Sequence, residues 1–133
     1  MRLTFAAILL LLLPLAAVTA EESEVYEVFE LNTIPVMVDT GSPCYPDSAY
    51  KSRTEGAVLV DVVIDKNGKV EKAEVFDSDP KGVFEAAALE AAQLCSFEPI
   101  LREGEAVKVK YRIPFIFSRS NYNLKPCSKV RKK

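Results

Sequence analysis

The chain has 133 residues, with 17 Lys or Arg and 19 Asp or Glu, and its formal charge at pH 7 is −2. This small negative net charge does not favour a nucleic-acid partner. The absence of histidine removes the commonest general base and metal ligand, and the length suits one domain with one core.

The first twenty residues (1–20) combine Arg2, an apolar run and the small-x-small ending Val18-Thr19-Ala20. These are the parts of a secretory signal peptide, and Pro14 interrupts a helix near the usual place before cleavage. We predict cleavage after Ala20. The alternative is a short uncleaved anchor, because the run is at the lower limit for spanning a bilayer. Both alternatives place the domain outside the cytoplasm, and only an uncleaved segment would tether it to the membrane.

Charge is distributed unevenly between the ends of the remaining chain. An acidic arm (21–43) ends in the breaker-rich run 39–43 and contains at most one short strand. A basic tail (119–133) follows the predicted domain (44–118). Solvated, disordered ends are the simplest interpretation of both charged segments.

Three cysteines occur, at Cys44, Cys95 and Cys127. An oxidising compartment allows one disulfide and leaves one thiol. Cys95 falls on an apolar helical pattern, where cysteine usually behaves as a small buried hydrophobe. Cys44 and Cys127 flank the domain in loop-like segments, so we predict that these two are bonded.

The first elements of the domain are a short helix, opened by Tyr45-Pro46-Asp47, and a hairpin. Residues 57–65 alternate as a strand does, and the run Lys66-Asn67-Gly68 predicts the turn into a second strand, from Lys69 to about Phe76. One face of the first strand is apolar: Val58, Val60, Val62 and Ile64.

Residues 83–95 show helical spacing with a stripe that is nearly all alanine, and residues 77–79 can cap this helix. Residues 107–117 alternate again and form the last strand. Pro114 has no N–H to donate, so we predict that this strand lies at a sheet edge or extends beyond its paired region. The order indicates an α+β domain: a small antiparallel sheet of three main strands, packed against a long helix, with a short N-terminal helix.

Catalytic and metal-binding patterns are absent from the sequence. Asp61 and Asp65 share a strand face and form a candidate acid–base pair, but a solvated face beside a turn explains them more simply. The cysteines lack metal-site spacing, and no phosphate loop or nucleophile elbow occurs. We therefore expect no enzyme activity and no cofactor.

An ordered series of landmarks nevertheless resembles the TonB C-terminal domain family over about residues 45–117. The landmarks are Tyr45-Pro46, Glu55-Gly56, Ile64-Asp65-x-x-Gly68-x-Val70, Phe84, Ala87-Ala88, Phe97-Glu98-Pro99, Gly104 and Pro114-Phe115-Ile116-Phe117.

The resemblance implies a non-catalytic, periplasmic module of TonB-dependent transmembrane transport, tethered to the inner membrane only if the N-terminal segment is not cleaved. Domains of this family grip a short peptide, the TonB box, of outer-membrane transporters, and the peptide adds as a strand beside the last strand. We therefore expect partner binding along the segment from Val107 to Ile113. Its cations, Lys108, Lys110 and Arg112, either select an acidic peptide or protect the edge from aggregation.

Three departures from the family pattern weaken the expectation of energy transduction. Cys95 stands where family members usually carry tryptophan, no proline-rich spacer follows residue 20, and the run 3–20 lacks the histidine of transducing anchors. We therefore expect a binding module for a receptor or another envelope protein. The alternative is a structural or assembly protein of the envelope that forms a homodimer through the same edge.

Overall fold

The computed structural model describes residues 24–121 and 123–131, and the predicted signal peptide lies outside them. The helices of this part are α1 (Val28–Leu31), α2 (Asp47–Ser52), α3 (Glu85–Leu94) and α4 (Cys127–Val130). Its strands are β1 (Val25–Glu27), β2 (Met37–Asp39), β3 (Gly56–Ile64), β4 (Val70–Asp79), β5 (Ser96–Phe97), β6 (Leu101–Arg102), β7 (Glu105–Ala106) and β8 (Lys108–Phe117). None of the described helices is long and apolar enough to cross a membrane.

The main sheet has four strands in the order β1-β8-β3-β4. The β3–β4 and β3–β8 pairs are antiparallel, as the alternating patterns predict, whereas β1 pairs with β8 in parallel. The α+β class is therefore confirmed, but the prediction of three main antiparallel strands is wrong by one. The additional strand comes from the acidic arm, where only three residues pair, too few for periodicity to predict a strand.

The core lies between the main sheet and α3. Val58, Val60, Val62 and Ile64 of β3 are fully buried, as the alternation predicts. Across from the sheet, the helix buries four small side chains: Ala87, Ala88, Ala91 and Ala92. Because these side chains are short, the helix backbone can approach the strands closely.

The helix α3 has ten residues, so the prediction of a long helix is wrong. Residues 77–79 do not cap it, because β4 continues to Asp79. The Glu85 carboxylate instead accepts hydrogen bonds from the Gly82 N–H (2.5 Å) and the Ser78 hydroxyl (2.7 Å). These bonds, with the Gly82 N–H contributing most, lower the pKa of Glu85 to about 2.

The hairpin turn after β3 is built by one carboxylate and one glycine. Asp65 accepts hydrogen bonds from the N–H groups of Asn67 (2.8 Å) and Lys69 (2.9 Å). Gly68 has φ +80°, and its carbonyl accepts the Phe97 N–H at 2.7 Å. The turn is thereby joined to the chain that leaves α3.

The basic tail is ordered in its described part, so the prediction of a disordered end is wrong for residues 123–131. The Tyr45 N–H donates to the Lys125 carbonyl at 2.8 Å, and the Cys127 N–H donates to the Tyr45 carbonyl at 2.9 Å. Cys44 and Cys127 are joined by a disulfide. Cys95 is a buried free thiol whose pKa is raised by burial. The tail is thus attached where the domain begins.

The acidic arm is also folded from Glu24 onwards, and the prediction of disorder is wrong there too. It passes through β1, α1 and β2, and β2 pairs antiparallel with β5. The arm ends against α3, where a Cβ added to Gly41 would lie 2.0 Å from the Ala91 carbonyl oxygen. The arm therefore belongs to the packed structure.

Candidate functional site

The candidate site is the side of β8 that faces away from β3. On the β3 side, pairing is continuous from Val109 to Phe117. On the other side, β1 covers only Lys108 to Lys110. From Tyr111 to Phe117 no strand among residues 24–121 and 123–131 pairs with this side, and we call this stretch the open edge.

The arm is fixed to the first half of β8 by polar contacts as well as by its short ladder. The Glu27 carboxylate lies 3.8 Å from the Lys110 ammonium. The Arg102 guanidinium lies over the Tyr26 ring, 4.4 Å from its centroid. The Glu27 N–H donates to the Glu30 carboxylate at 2.9 Å, at the start of α1. Two residues of the arm, Tyr26 and Glu27, therefore have specific partners on or beside the edge.

Each cation of the predicted binding strand is paired with a carboxylate of this chain. Lys108 contacts Glu71 at 2.8 Å, and Lys110 contacts Glu27. Arg112 binds Asp61 through two nitrogens, at 2.6 and 3.1 Å.

The Arg112 guanidinium is held from two directions. It also lies over the Phe76 ring, 3.3 Å from the centroid. The hydrogen bond from Arg112 lowers the pKa of Asp61. Arg112 is thus fixed by neighbours on β3 and β4, whereas Lys110 is paired with a residue of the arm.

The apolar side chains of the predicted binding segment mostly pack in or against the hydrophobic core. Val109 and Ile113 are buried, and Val107 and Tyr111 are partly buried against the core. The Tyr111 ring meets Phe97 edge-on, with centroids 6.1 Å apart. A partner strand would therefore use the backbone of this segment and its outer face.

Two grooves accompany the open edge, one on each face of the sheet. The first has a volume of about 380 Å³ and lies between α1 and the β8 segment 110–112, next to Asp61. The second has a volume of about 400 Å³, runs along residues 113–116 and reaches Cys95. Its lining combines apolar β8 residues with polar residues of the arm and the tail, and Ile116, one of the apolar residues, has 58% of its surface exposed. Consecutive side chains of an added strand point to opposite faces, so each groove would receive every second one.

The geometry does not support catalysis by the candidate carboxylates. Asp61 is held by Arg112, and the Asp65 carboxylate is used by the hairpin turn. No group of three His, Cys, Asp or Glu side chains that could bind a metal occurs within the described part of the chain. The site offers backbone hydrogen bonds and apolar surface.

Neither the arm residues Tyr26 and Glu27 nor the groove beside Ile116 could be identified from the sequence. The run 25–28 contains β-branched and aromatic residues typical of strands, but it is too short to show a period. Its partner segment is about eighty residues further along the chain, and no local signal predicts such a pairing.

Comparison with known proteins matches this domain to one family. Residues 41–118 match the family model described as Gram-negative bacterial TonB protein C-terminal. Protein TonB of Yersinia enterocolitica is 27% identical over 82 residues, which are 62% of this chain and 32% of that protein. Protein TonB of Xanthomonas campestris pv. campestris (strain B100) is 29% identical over 76 residues, 57% of this chain and 34% of that protein. The chain thus spans about a third of the length of these curated relatives.

A solved structure has the same fold. The solution NMR structure of the Pseudomonas aeruginosa TonB CTD superposes with a TM-score of 0.54 at 26% sequence identity. The match covers 72% of this chain and 95% of that one.

Proposed function

The chain belongs to the family of the Gram-negative bacterial TonB protein C-terminal domain, and on this premise we propose that it binds an extended segment of a partner protein by strand addition to β8. The partner class is an outer-membrane receptor of TonB-dependent transport, and the module acts in the periplasm without catalysis or a cofactor. One observation carries the proposal: β8 already accepts a fourth strand over residues 108–110 and offers the open edge beyond it.

Backbone hydrogen bonds would supply most of the affinity. A strand edge presents unpaired N–H and C=O groups, and each bond formed contributes about 1 kcal/mol net. Pro114 offers a carbonyl but no N–H, so the ladder is interrupted there. We therefore propose that the partner pairs best on the N-terminal side of Pro114, within the segment 107–113.

The grooves set the preferred side chains of the partner. The β8 residues that line the groove along 113–116 are apolar, and they favour a β-branched or other apolar side chain. On the opposite face, the groove beside Lys110 and Arg112 is lined by charged and aromatic groups. A segment that alternates apolar and polar residues fits both.

The test is a titration of the chain with a synthetic ten-residue peptide copied from the periplasmic N-terminal segment of an outer-membrane receptor. Two further peptides carry N-methyl groups on alternate residues, one on the even positions and one on the odd positions. Only one set of amides faces β8 in a strand. We expect that set, when methylated, to weaken binding about ten-fold or more, whereas the other set has little effect.

Calorimetry gives the three affinities, and backbone amide shifts locate the peptide. Equal loss with both methylated peptides would show that the peptide binds without forming a ladder. Shifts confined to β4, the opposite edge of the sheet, would place the site elsewhere. Either result would reject strand addition to β8.

A further inference from the structure

We infer that the arm segment 24–31 is an internal ligand of the binding edge, which a partner strand displaces. The inference rests on the proposed function, because it describes how the same edge is regulated. Its starting observation is that β1 occupies Lys108 to Lys110, three of the seven residues expected to bind a partner.

The arm and a partner strand compete for the same backbone groups. The side of β8 away from β3 has one row of donors and acceptors, and β1 already uses those at its first three residues. A partner restricted to the open edge would have three residues before it reached Pro114. A longer ladder therefore forms only if β1 leaves and the partner takes its position beside Lys108 to Lys110.

The direction of the chain after β1 adds a steric obstacle. At Val28 the arm turns into α1, and the Phe29 ring, with 76% of its surface exposed, lines the groove beside Tyr111 and Arg112. A partner strand that runs along the open edge meets α1 at Tyr111. The arm thus shortens the available edge and also blocks one of its ends.

The contacts that hold the arm are suited to exchange. The Glu27–Lys110 pair is long, at 3.8 Å, and both side chains are more than two-fifths exposed. Surface pairs of this kind are weak and are screened by salt. The stacking of Arg102 on Tyr26 is also near the surface, and the ladder has only three residues. A partner strand that forms more backbone hydrogen bonds with β8 can therefore displace the arm.

The arm also indicates the chemistry of the partner that replaces it. Lys110 loses its carboxylate when Glu27 leaves, and Arg102 loses the ring of Tyr26. A partner strand that restores both contacts carries an aromatic residue followed directly by an acidic one. The competing segment therefore carries at least one carboxylate, in the place that Glu27 has in the arm.

The first experiment compares peptide affinity in three full-length chains: the native chain, Tyr26→Ala with Glu27→Lys, and the control Glu74→Lys. The control makes the same charge change on β4, at the far edge of the sheet, and breaks only an exposed pair with Lys72. The probe is the same receptor peptide. We expect the double variant to bind about ten-fold more tightly and the control to bind as the native chain does.

The second measurement follows the arm directly and does not depend on the folding of the double variant. The chain has no tryptophan, so Phe29→Trp supplies a single reporter on α1. Val130→Trp, on α4, is the matched control reporter. We expect the fluorescence of Trp at position 29 to change with added peptide until it saturates, in step with peptide binding. The fluorescence of Trp at position 130 should not change.

The outcomes separate the two proposals. Equal or weaker binding by the double variant, with a silent reporter at position 29, would overturn the internal-ligand inference and leave strand addition intact. A peptide that binds none of the chains would reject the proposed function, and the inference with it.

Discussion

Gly68 is subject to two separate constraints. Its φ of +80° is costly for any residue with a Cβ, and a Cβ at this position would lie 1.8 Å from the Phe97 carbonyl oxygen. The Asn67-Gly68 pair in the sequence predicts the turn and hence the first constraint. The second depends on the chain that follows α3, so only the structure reveals it.

The cost of that close approach can be isolated with two alanine variants. Gly104 has φ +84°, and a Cβ there would meet nothing within 4 Å. We expect Gly104→Ala to lower the free energy of unfolding by about 1 kcal/mol, from backbone strain alone. Gly68→Ala should cost about 2 kcal/mol more, because the Phe97 carbonyl must move. Urea unfolding of both variants measures the difference, and equal costs would show that the contact is easily relieved.

At the scale of elements, the alanine stripe of α3 determines how closely the helix lies against the sheet. Ala88 is fully buried, whereas Ala86, on the same helix, is exposed. Leucine and alanine have similar helix propensities, so leucine at either position tests space alone.

We expect Ala88→Leu to destabilise the domain by about 2 kcal/mol or more, because three extra carbons do not fit between helix and strands. Ala86→Leu should change the free energy of unfolding by less than about 0.5 kcal/mol. Chemical denaturation checks both. A tolerated leucine at position 88 would mean that the helix can shift away from β3 and β4.

Elements with a repeated pattern could be predicted from the sequence. β3, β8 and α3 each show their period over nine or ten residues, and the resemblance to the TonB C-terminal domain is confirmed. β1 could not be predicted, because a three-residue parallel pairing between distant segments has no local signature. Only half of the candidate site could therefore be predicted from the sequence. The strand itself was foreseen, and the segment that covers its first residues was not.

At the scale of the whole molecule, the Cys44–Cys127 disulfide joins segments 83 residues apart. Closing a loop of this length reduces the entropy of the unfolded chain, and we expect Cys44→Ser with Cys127→Ser to lower the free energy of unfolding by about 4 kcal/mol. Equilibrium unfolding measures the effect. Cys95→Ala, which removes a thiol and keeps the bond, is the control. An unchanged midpoint in the double variant would mean that the hydrogen bonds around Tyr45 hold the tail without the bond.

The same bond makes residues 44–127 a covalently closed ring. The turn at Glu103-Gly104 is exposed and lies within this ring. A single proteolytic cut there opens the ring but releases no fragment, since both pieces remain joined through sulfur. A domain cut at this turn therefore stays one covalent molecule, and its two pieces separate only when the disulfide is also reduced.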